Sequence, residues 1–150
     1  MSGLLLDIGA GMRRIEGWYT IDDLPYPGLD LVHDLNTTPW PLDEGCAVRA
    51  MAHFTLCRIP RAGYALLRFM NEVHRLLQPG GEFLIVAPYG INQAFLQEPT
   101  FCNPVIESTF YAFDPQHPSG LWQRYQPAPW RIVSLEWDAA TVLEVTLARR

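Results

Sequence analysis

Three aspartates, Asp7, Asp22 and Asp34, each stand at or near the end of a short apolar stretch of this sequence. A carboxylate accepts hydrogen bonds from an ammonium group, an amine or a pair of hydroxyls. The first aspartate is followed by Gly9 and Gly11, and glycine adopts unusual backbone angles and lets a ligand approach the main chain closely. These residue types favour a site for a ligand rich in hydrogen-bond donors, such as a nucleoside with a cationic tail.

Strands must bring the three aspartates together. Apolar, aromatic and β-branched residues predict strands over 4–8, 18–21, 29–35, 47–52 and 83–87. If these strands are parallel, the aspartates meet outside the carboxyl ends of the strands, where open α/β sheets bind ligands. Like charges gathered there are costly unless the donors of a ligand use them. The sequence therefore predicts an α/β protein whose site lies at this edge of the sheet.

Helices and a hairpin complete the predicted architecture. Apolar residues recur on one helical face over 61–78, and Pro79-Gly80-Gly81 ends that helix. Two short helices and the strands of a final hairpin are predicted over 92–96, 108–112, 130–137 and 141–148. The connections 9–17 and 22–28 are too short for the helices that usually join parallel strands. One face of the sheet thus lacks helices, and we expect a second subunit to cover it, with residues 95–130 as the alternative.

The composition bounds the class of protein. A chain of 150 residues, 49% hydrophobic and 18% charged, suits one globular domain over 1–150. No apolar run is long enough to span a membrane, and no signal-peptide pattern is present. The net charge of −5 argues against broad non-specific binding to nucleic acid, although it allows a local basic groove. Cys46, Cys57 and Cys102 are widely spaced, so we expect no disulfide framework and no metal site, and a reducing cytoplasm fits.

Four motifs follow one another along the chain. They are Leu-Asp-Ile-Gly-Ala-Gly at 6–11, Ile-Asp at 21–22, Val-His-Asp-Leu-Asn at 32–36 and Arg-Leu-Leu-Gln-Pro-Gly-Gly-Glu-Phe-Leu-Ile at 75–85. Their order resembles that of the class I S-adenosylmethionine-dependent methyltransferases. Gly17-Trp18 and the Asp-Leu-Asn-x-x-Pro-Trp-Pro segment at 34–41 resemble a short bacterial and phage-type branch of that family. The resemblance implies a Rossmann-like fold with strand order 3-2-1-4-5-7-6, in which the last hairpin supplies the one antiparallel strand.

The resemblance also implies a binding site for S-adenosyl-L-methionine. Gly9, Ala10 and Gly11 would pass beside the amino-acid part of this cofactor, and Asp7 would orient that turn or the ammonium group. Asp22 would accept hydrogen bonds from both ribose hydroxyls. If the strand register differs by one residue, Asp23 would take this role instead. Asp34 would accept a hydrogen bond from the adenine amine, and the backbone amide of Leu35 would face the adenine ring. Ala52, at the end of the fourth strand, would line the same site.

The resemblance implies methyl transfer to an acceptor that the sequence does not identify. His53 is a candidate general base and Tyr89 a candidate for the acceptor pocket, although both residue types also serve in packing. Met12, the segment 56–58 and Phe101 depart from the pattern of the family. These departures keep open a methyltransferase-like binding or scaffold protein without catalysis. A nicotinamide oxidoreductase is a weaker alternative, because the first glycine turn opens no helix that could receive a pyrophosphate.

Overall fold

A seven-stranded sheet forms the centre of the computed structural model, which describes residues 2–150. Its strands are β1 (Leu4–Ile8), β2 (Trp18–Asp22), β3 (Leu31–Val32), β4 (Ala47–His53), β5 (Leu77–Pro88), β6 (Trp130–Trp137) and β7 (Val142–Arg149). They lie in the order β3-β2-β1-β4-β5-β7-β6. Neighbouring strands are parallel except that β7 runs antiparallel to β5 and β6. This arrangement confirms the predicted Rossmann-like fold and strand order.

The α-helices are fewer than the strands. The two α-helices are α1 (Ala65–Leu76) and α2 (Gln93–Leu96), and 3-10 helical turns lie at Leu56–Arg58, Ala62–Tyr64, Glu107–Phe113 and Leu121–Arg124. The predicted start of the long helix at residue 61 is wrong. Gly63 and Tyr64 have positive φ angles of 63° and 61°, which interrupt helical geometry just before α1.

Two predicted strand boundaries are also wrong. β5 begins at Leu77 instead of residue 83, and its pairing with β4 jumps from Ala47–Leu77 to Arg49–Glu82, so the Pro-Gly-Gly segment forms a bulge within the strand. β3 covers two residues and not 29–35. Asp30 limits it, because its carboxylate accepts hydrogen bonds from the backbone and hydroxyl of Thr20 at 2.8 and 3.0 Å.

The hydrophobic core lies between α1 and one face of the sheet. On β5, Phe83, Ile85 and Ala87 are fully buried, whereas the residues that alternate with them are not. The buried face of α1 carries Phe69, Met70, Val73 and Leu76. Phe110 and Phe113 belong to the same core, so the segment after α2 folds back on the side of α1.

One buried carboxylate ties α1 to a long loop. Glu72 lies on the buried face of the helix and accepts a hydrogen bond from the backbone N–H of Trp40 at 2.7 Å. Arg75, one helical turn later, donates to Glu72 and to the carbonyl oxygens of Trp40 and Leu42. The pair therefore satisfies loop backbone groups in a place where water is excluded.

The opposite face of the sheet carries no long helix within residues 2–150, because both crossovers among β1, β2 and β3 are loops. Met51 and Leu84 are paired neighbours on this face, and Leu5 and Val86 lie on the same face; all four are only half-buried. The prediction of fewer helices on one face is confirmed. The alternative in which residues 95–130 cover that face does not agree with the place of Phe110 and Phe113 in the core under α1.

Candidate functional site

The glycine turn after β1 is fixed by two different constraints. Gly9 has φ 75°, and a Cβ at that position would lie 2.2 Å from the hydroxyl oxygen of Thr55. That hydroxyl donates to the carbonyl of Ile8 at 2.9 Å, so the loop after β4 packs directly on the turn. Gly11 has φ 56° but has open space around it. Gly9 is therefore needed for packing, and Gly11 is the point where the main chain is open to a ligand.

Asp7 anchors the end of this turn. Its side chain is fully buried and accepts two hydrogen bonds from Arg13, at 2.8 and 2.5 Å. The hydrogen bond to Asp7 raises the pKa of Arg13, which keeps the guanidinium charged. Because both carboxylate oxygens are occupied, the geometry favours the role of Asp7 in orienting the turn over direct contact with a ligand's ammonium group.

Asp22 and Asp23, at the end of β2, have different surroundings. Asp22 is fully buried and accepts hydrogen bonds from the backbone N–H groups of Gly11 at 2.8 Å and Leu24 at 3.2 Å. Burial acts to raise the pKa of Asp22, but the hydrogen bonds that it accepts outweigh burial and hold the pKa below its usual value. Asp23 is exposed, and burial of part of its carboxyl group together with the adjacent Asp22 raises its pKa.

A crevice of about 210 Å³ opens beside this strand end. It is lined by Asp23, Leu24, Leu35, Asn36, Thr55, Arg58, Ile59 and Thr100. Of the residues assigned to the site from the sequence, Leu35 and the alternative Asp23 line this crevice. A free carboxylate, an amide side chain and apolar surface together suit a ribose attached to a flat heterocycle.

Two other residues assigned to the cofactor, Asp34 and Ala52, do not line the crevice. Asp34 is turned into its own loop, where it accepts from the backbone N–H of Asn36 at 2.9 Å and from the hydroxyl of Thr37 at 2.8 Å. These hydrogen bonds lower the pKa of Asp34. Ala52 is buried in the core on the side of α1. Their geometry suits supporting roles. Asp34 holds the backbone of Asn36 in place, and Ala52 packs in the core beneath the sheet edge.

Sequence reasoning missed Asn36, Thr55, Arg58 and Thr100. They come from separate loops, so no spacing in the sequence connects them. Two of them carried a signal: Asn36 ends the motif at 32–36, and Arg58 lies in the segment 56–58 that departs from the family pattern. Arg58 forms no ion pair with a carboxylate in the described part of the chain. Its charge adds to the lowering of the pKa of Asp22 and opposes the upward shift of the pKa of Asp23.

The candidate catalytic residues lie at the ends of β4 and β5. His53 is exposed overall, yet desolvation of its ring and the nearby Arg13 lower its pKa, which keeps the imidazole neutral at pH 7. Its ring lies 4.6 Å from that of Phe54, measured between centroids. Tyr89 donates a hydrogen bond from its hydroxyl to Glu107 at 2.6 Å, which raises the pKa of the phenol.

Three further features of residues 2–150 concern metal ligands, helix length and cysteines. Within the described residues, no group of three or more His, Cys, Asp or Glu side chains lies close enough together to hold a metal ion. None of the described helices is long and apolar enough to cross a membrane. All three cysteines are free, and burial raises the pKa of Cys57 to about 12, so its thiol stays protonated.

No family model matches the chain, and no curated protein matches its sequence. Its structure is similar to that of a methyltransferase from Mesorhizobium loti, with 13% identity, a TM-score of 0.64, and coverage of 97% of this chain and 90% of the other. A methyltransferase from Aquifex aeolicus has 16% identity, a TM-score of 0.63 and coverage of 99% and 82%.

A third similar structure is the W203A mutant of the 16S rRNA (adenine(1408)-N(1))-methyltransferase from Catenulisporales acidiphilia with its cosubstrate S-adenosylmethionine. It has 17% identity, a TM-score of 0.59, and coverage of 98% of this chain and 84% of the other. At such low identity the similarity concerns the fold. The chain therefore has the fold of the class I S-adenosylmethionine-dependent methyltransferases.

Proposed function

We propose that this protein binds S-adenosyl-L-methionine at the carboxyl edge of its sheet and transfers the methyl group to an acceptor. The observation that carries the proposal is the hydrogen bond that the backbone N–H of Gly11 donates to the carboxylate of Asp22. A buried carboxylate holds the backbone of an open glycine turn at 2.8 Å, beside a crevice into which Asp23 points a second carboxylate. On this fold, such an edge is where a nucleoside would bind.

The residues present fit the parts of this cofactor. Asp23 would accept hydrogen bonds from the ribose hydroxyls, and Asp22 would act on the same site by holding the backbone of Gly11. Leu35 and Asn36 would contact the adenine, since an amide side chain both donates and accepts. The open backbone of the turn at Gly11 would lie beside the amino-acid part.

The cofactor supplies an electrophilic methyl group on a positively charged sulfur, so the protein needs little covalent chemistry of its own. Its task is to align the acceptor atom with the methyl group and to exclude water. His53, at the end of β4, would accept a proton from the acceptor, because its lowered pKa keeps it neutral. Tyr89 would line the acceptor pocket, with Glu107 fixing the direction of its hydroxyl.

Transfer of an isotopically labelled methyl group tests this activity. The protein is incubated with labelled S-adenosylmethionine and a cell extract, which is then separated into nucleic acid, protein and small molecules. We expect label in one of these fractions, and much less with Asp23→Asn at the same cofactor concentration. Saturable cofactor binding without label in any fraction would support the binding or scaffold alternative instead.

We also propose that the open face of the sheet is covered by a second copy of the chain in a cytoplasmic homodimer. The half-buried Leu5, Met51, Leu84 and Val86 support this, because parallel sheets are normally buried on both faces. Light scattering at micromolar concentration should give twice the mass of the chain, and Met51→Glu should give the single mass. A wild-type monomer would refute the dimer without affecting the proposed activity.

A further inference from the structure

A second cavity, larger than the crevice, lies between the start of α1 and the 3-10 turn Glu107–Phe113. Its volume is about 330 Å³. The floor is apolar, made by Leu66, Leu67, Ala112 and Phe113, and the rim carries Arg61, Tyr64, Ser108, Thr109 and Tyr125. We call this cavity the tyrosine cleft. The function proposed above does not use it.

The two tyrosines present flat aromatic surface to solvent. Tyr64 is 63% exposed and Tyr125 is 50% exposed, and their ring centroids lie 5.8 Å apart with a tilt of 55°. Tyr64 also has a φ of 61°, a left-handed conformation that is unfavourable for a bulky residue. Exposed aromatic faces of this kind are platforms on which a planar ring can stack.

Unpaired positive charge surrounds the same cleft. The chain has eleven arginines and no lysine, and five of the arginines form ion pairs in the described residues. Arg61, Arg68 and Arg124 form none, although the net charge of the chain is −5. The guanidinium carbon of Arg124 lies 5.3 Å from the centroid of the Tyr125 ring.

The other two arginines are held by backbone or amide oxygens. Arg68 donates to the carbonyl of Gly63, next to Tyr64. Arg61 donates to the side chain of Asn103 and to the carbonyl of Pro104. None of these contacts neutralises the positive charge, so the cleft attracts anions within an otherwise acidic chain.

The cleft and the crevice both draw lining residues from one wall of chain, formed by residues 57–61 and 100–103. Two backbone N–H groups, those of Cys102 and Asn103, donate to the carbonyl of Cys57 at 2.8 and 2.9 Å. This wall carries Arg58 and Thr100 on the crevice side and Arg61 on the cleft side. A chain-like ligand seated in the cleft would therefore run close to the cofactor edge.

We propose that the tyrosine cleft binds single-stranded nucleic acid. Stacking faces and guanidinium groups side by side match a polymer that alternates flat bases with phosphates. A duplex matches less well, because its bases are stacked on one another and do not reach the tyrosines. As a statement about the methyl acceptor, this inference rests on the proposed function. The binding of nucleic acid to the cleft does not depend on the proposed function. The test therefore uses no cofactor, and its outcome is independent of whether the protein transfers methyl groups.

Fluorescence anisotropy with labelled 12-nucleotide RNA and DNA oligomers measures this binding. We expect saturable binding to the single strands that weakens with salt, and weaker binding to the matching duplex. Tyr64→Ala and Tyr125→Ala should each weaken binding about 5- to 150-fold, the range for loss of one base stack. Tyr64→Phe and Tyr125→Phe should keep most of the affinity, because phenylalanine still stacks.

The arginines are tested through the salt dependence. Each phosphate contact contributes about −0.7 to the slope of log K against log salt for single strands, so Arg68→Ala with Arg124→Ala should reduce the slope by about 1.4. Arg131→Ala is the matched control, because Arg131 is exposed, forms no ion pair in residues 2–150 and lies outside the cleft.

Trp137→Ala is the aromatic control, at a ring that is 49% exposed on the edge strand β6. Neither control should change the affinity by more than about twofold. Three results would overturn the proposal: no binding of any oligomer at low salt, binding unchanged in both tyrosine-to-alanine variants, or equal losses in the control variants.

Discussion

Replacing Asp22 and Asp23 separately should produce two different defects. Asp22→Ala removes the acceptor for the Gly11 and Leu24 N–H groups, which lie 2.8 and 3.2 Å from its carboxylate. Hydrogen bonds to a charged group contribute about 1.5–3 kcal/mol, and water can replace the one at the exposed Leu24. We therefore expect a loss of about 2–3 kcal/mol in the free energy of unfolding, or about 4–12 °C in Tm for a chain of this size.

Asp23→Ala should leave Tm within about 2 °C of the wild type, since the residue is exposed and supports no packing. Its effect should fall on the affinity for S-adenosylmethionine, about 10- to 100-fold, because charged hydrogen bonds to the ribose are lost. Thermal unfolding followed by circular dichroism measures the first defect, and titration calorimetry below Tm measures the second.

The control for this pair is Asp22→Asn, whose amide oxygen can still accept from Gly11. It should recover part of the lost stability, and Asp23→Asn should recover little affinity. This division of roles is refuted if Asp22→Ala unfolds at the wild-type temperature while losing cofactor affinity, because Asp22 would then contact the ribose directly. It is equally refuted if Asp23→Ala binds the cofactor as tightly as the wild type.

Three further substitutions test the surrounding structure. Gly9→Ala should destabilise the fold more than Gly11→Ala. Both variants meet a left-handed backbone cost of about 1–2 kcal/mol, but only Gly9→Ala places a Cβ 2.2 Å from the Thr55 hydroxyl oxygen. Equal losses of stability for the two variants in chemical denaturation would contradict this packing. Burial and Arg149 lower the pKa of His74 below its unfolded value of 6.5, so the stability linked to His74 is complete above pH 6.5 and is lost as the pH falls toward the folded pKa. His74→Gln should make the Tm less dependent on pH between 7 and 5, and an unchanged pH profile would refute that assignment. Glu72→Ala should lower the free energy of unfolding by about 2–4 kcal/mol, because it leaves the Arg75 charge and the Trp40 N–H without their acceptor. Glu72→Gln should lower it less, so its urea midpoint should lie above that of Glu72→Ala, and the reverse order would contradict this role of Glu72.

The sequence predicts the framework well because its signals are local. β1 shows as the short apolar run at 4–6, and its polar site residue Asp7 follows that run directly. β4 gives a weaker signal, because Arg49 interrupts its apolar residues. The strand order came from the resemblance of the motifs at 6–11 and 75–85 and could not have come from periodicity. The open face of the sheet was predictable from the length of the connections alone.

The details of the site were less predictable, because one residue of register decides which side chain faces a ligand. Asp22 and Asp23 are adjacent and chemically identical, and only the structure shows that the first is buried against Gly11. Asp34 stands at a strand end in sequence, but local hydrogen bonds to its own loop capture it. Thr100 and Arg58 meet only after the chain folds.

Titration calorimetry with S-adenosylmethionine on the wild-type chain tests the central claim most directly. S-adenosylhomocysteine serves as the related ligand and NAD as the unrelated one. The account predicts saturable binding of the first two, with one site per chain, and no binding of NAD. Absence of binding by both S-adenosylmethionine and S-adenosylhomocysteine, in a chain shown to be folded by circular dichroism, would contradict it.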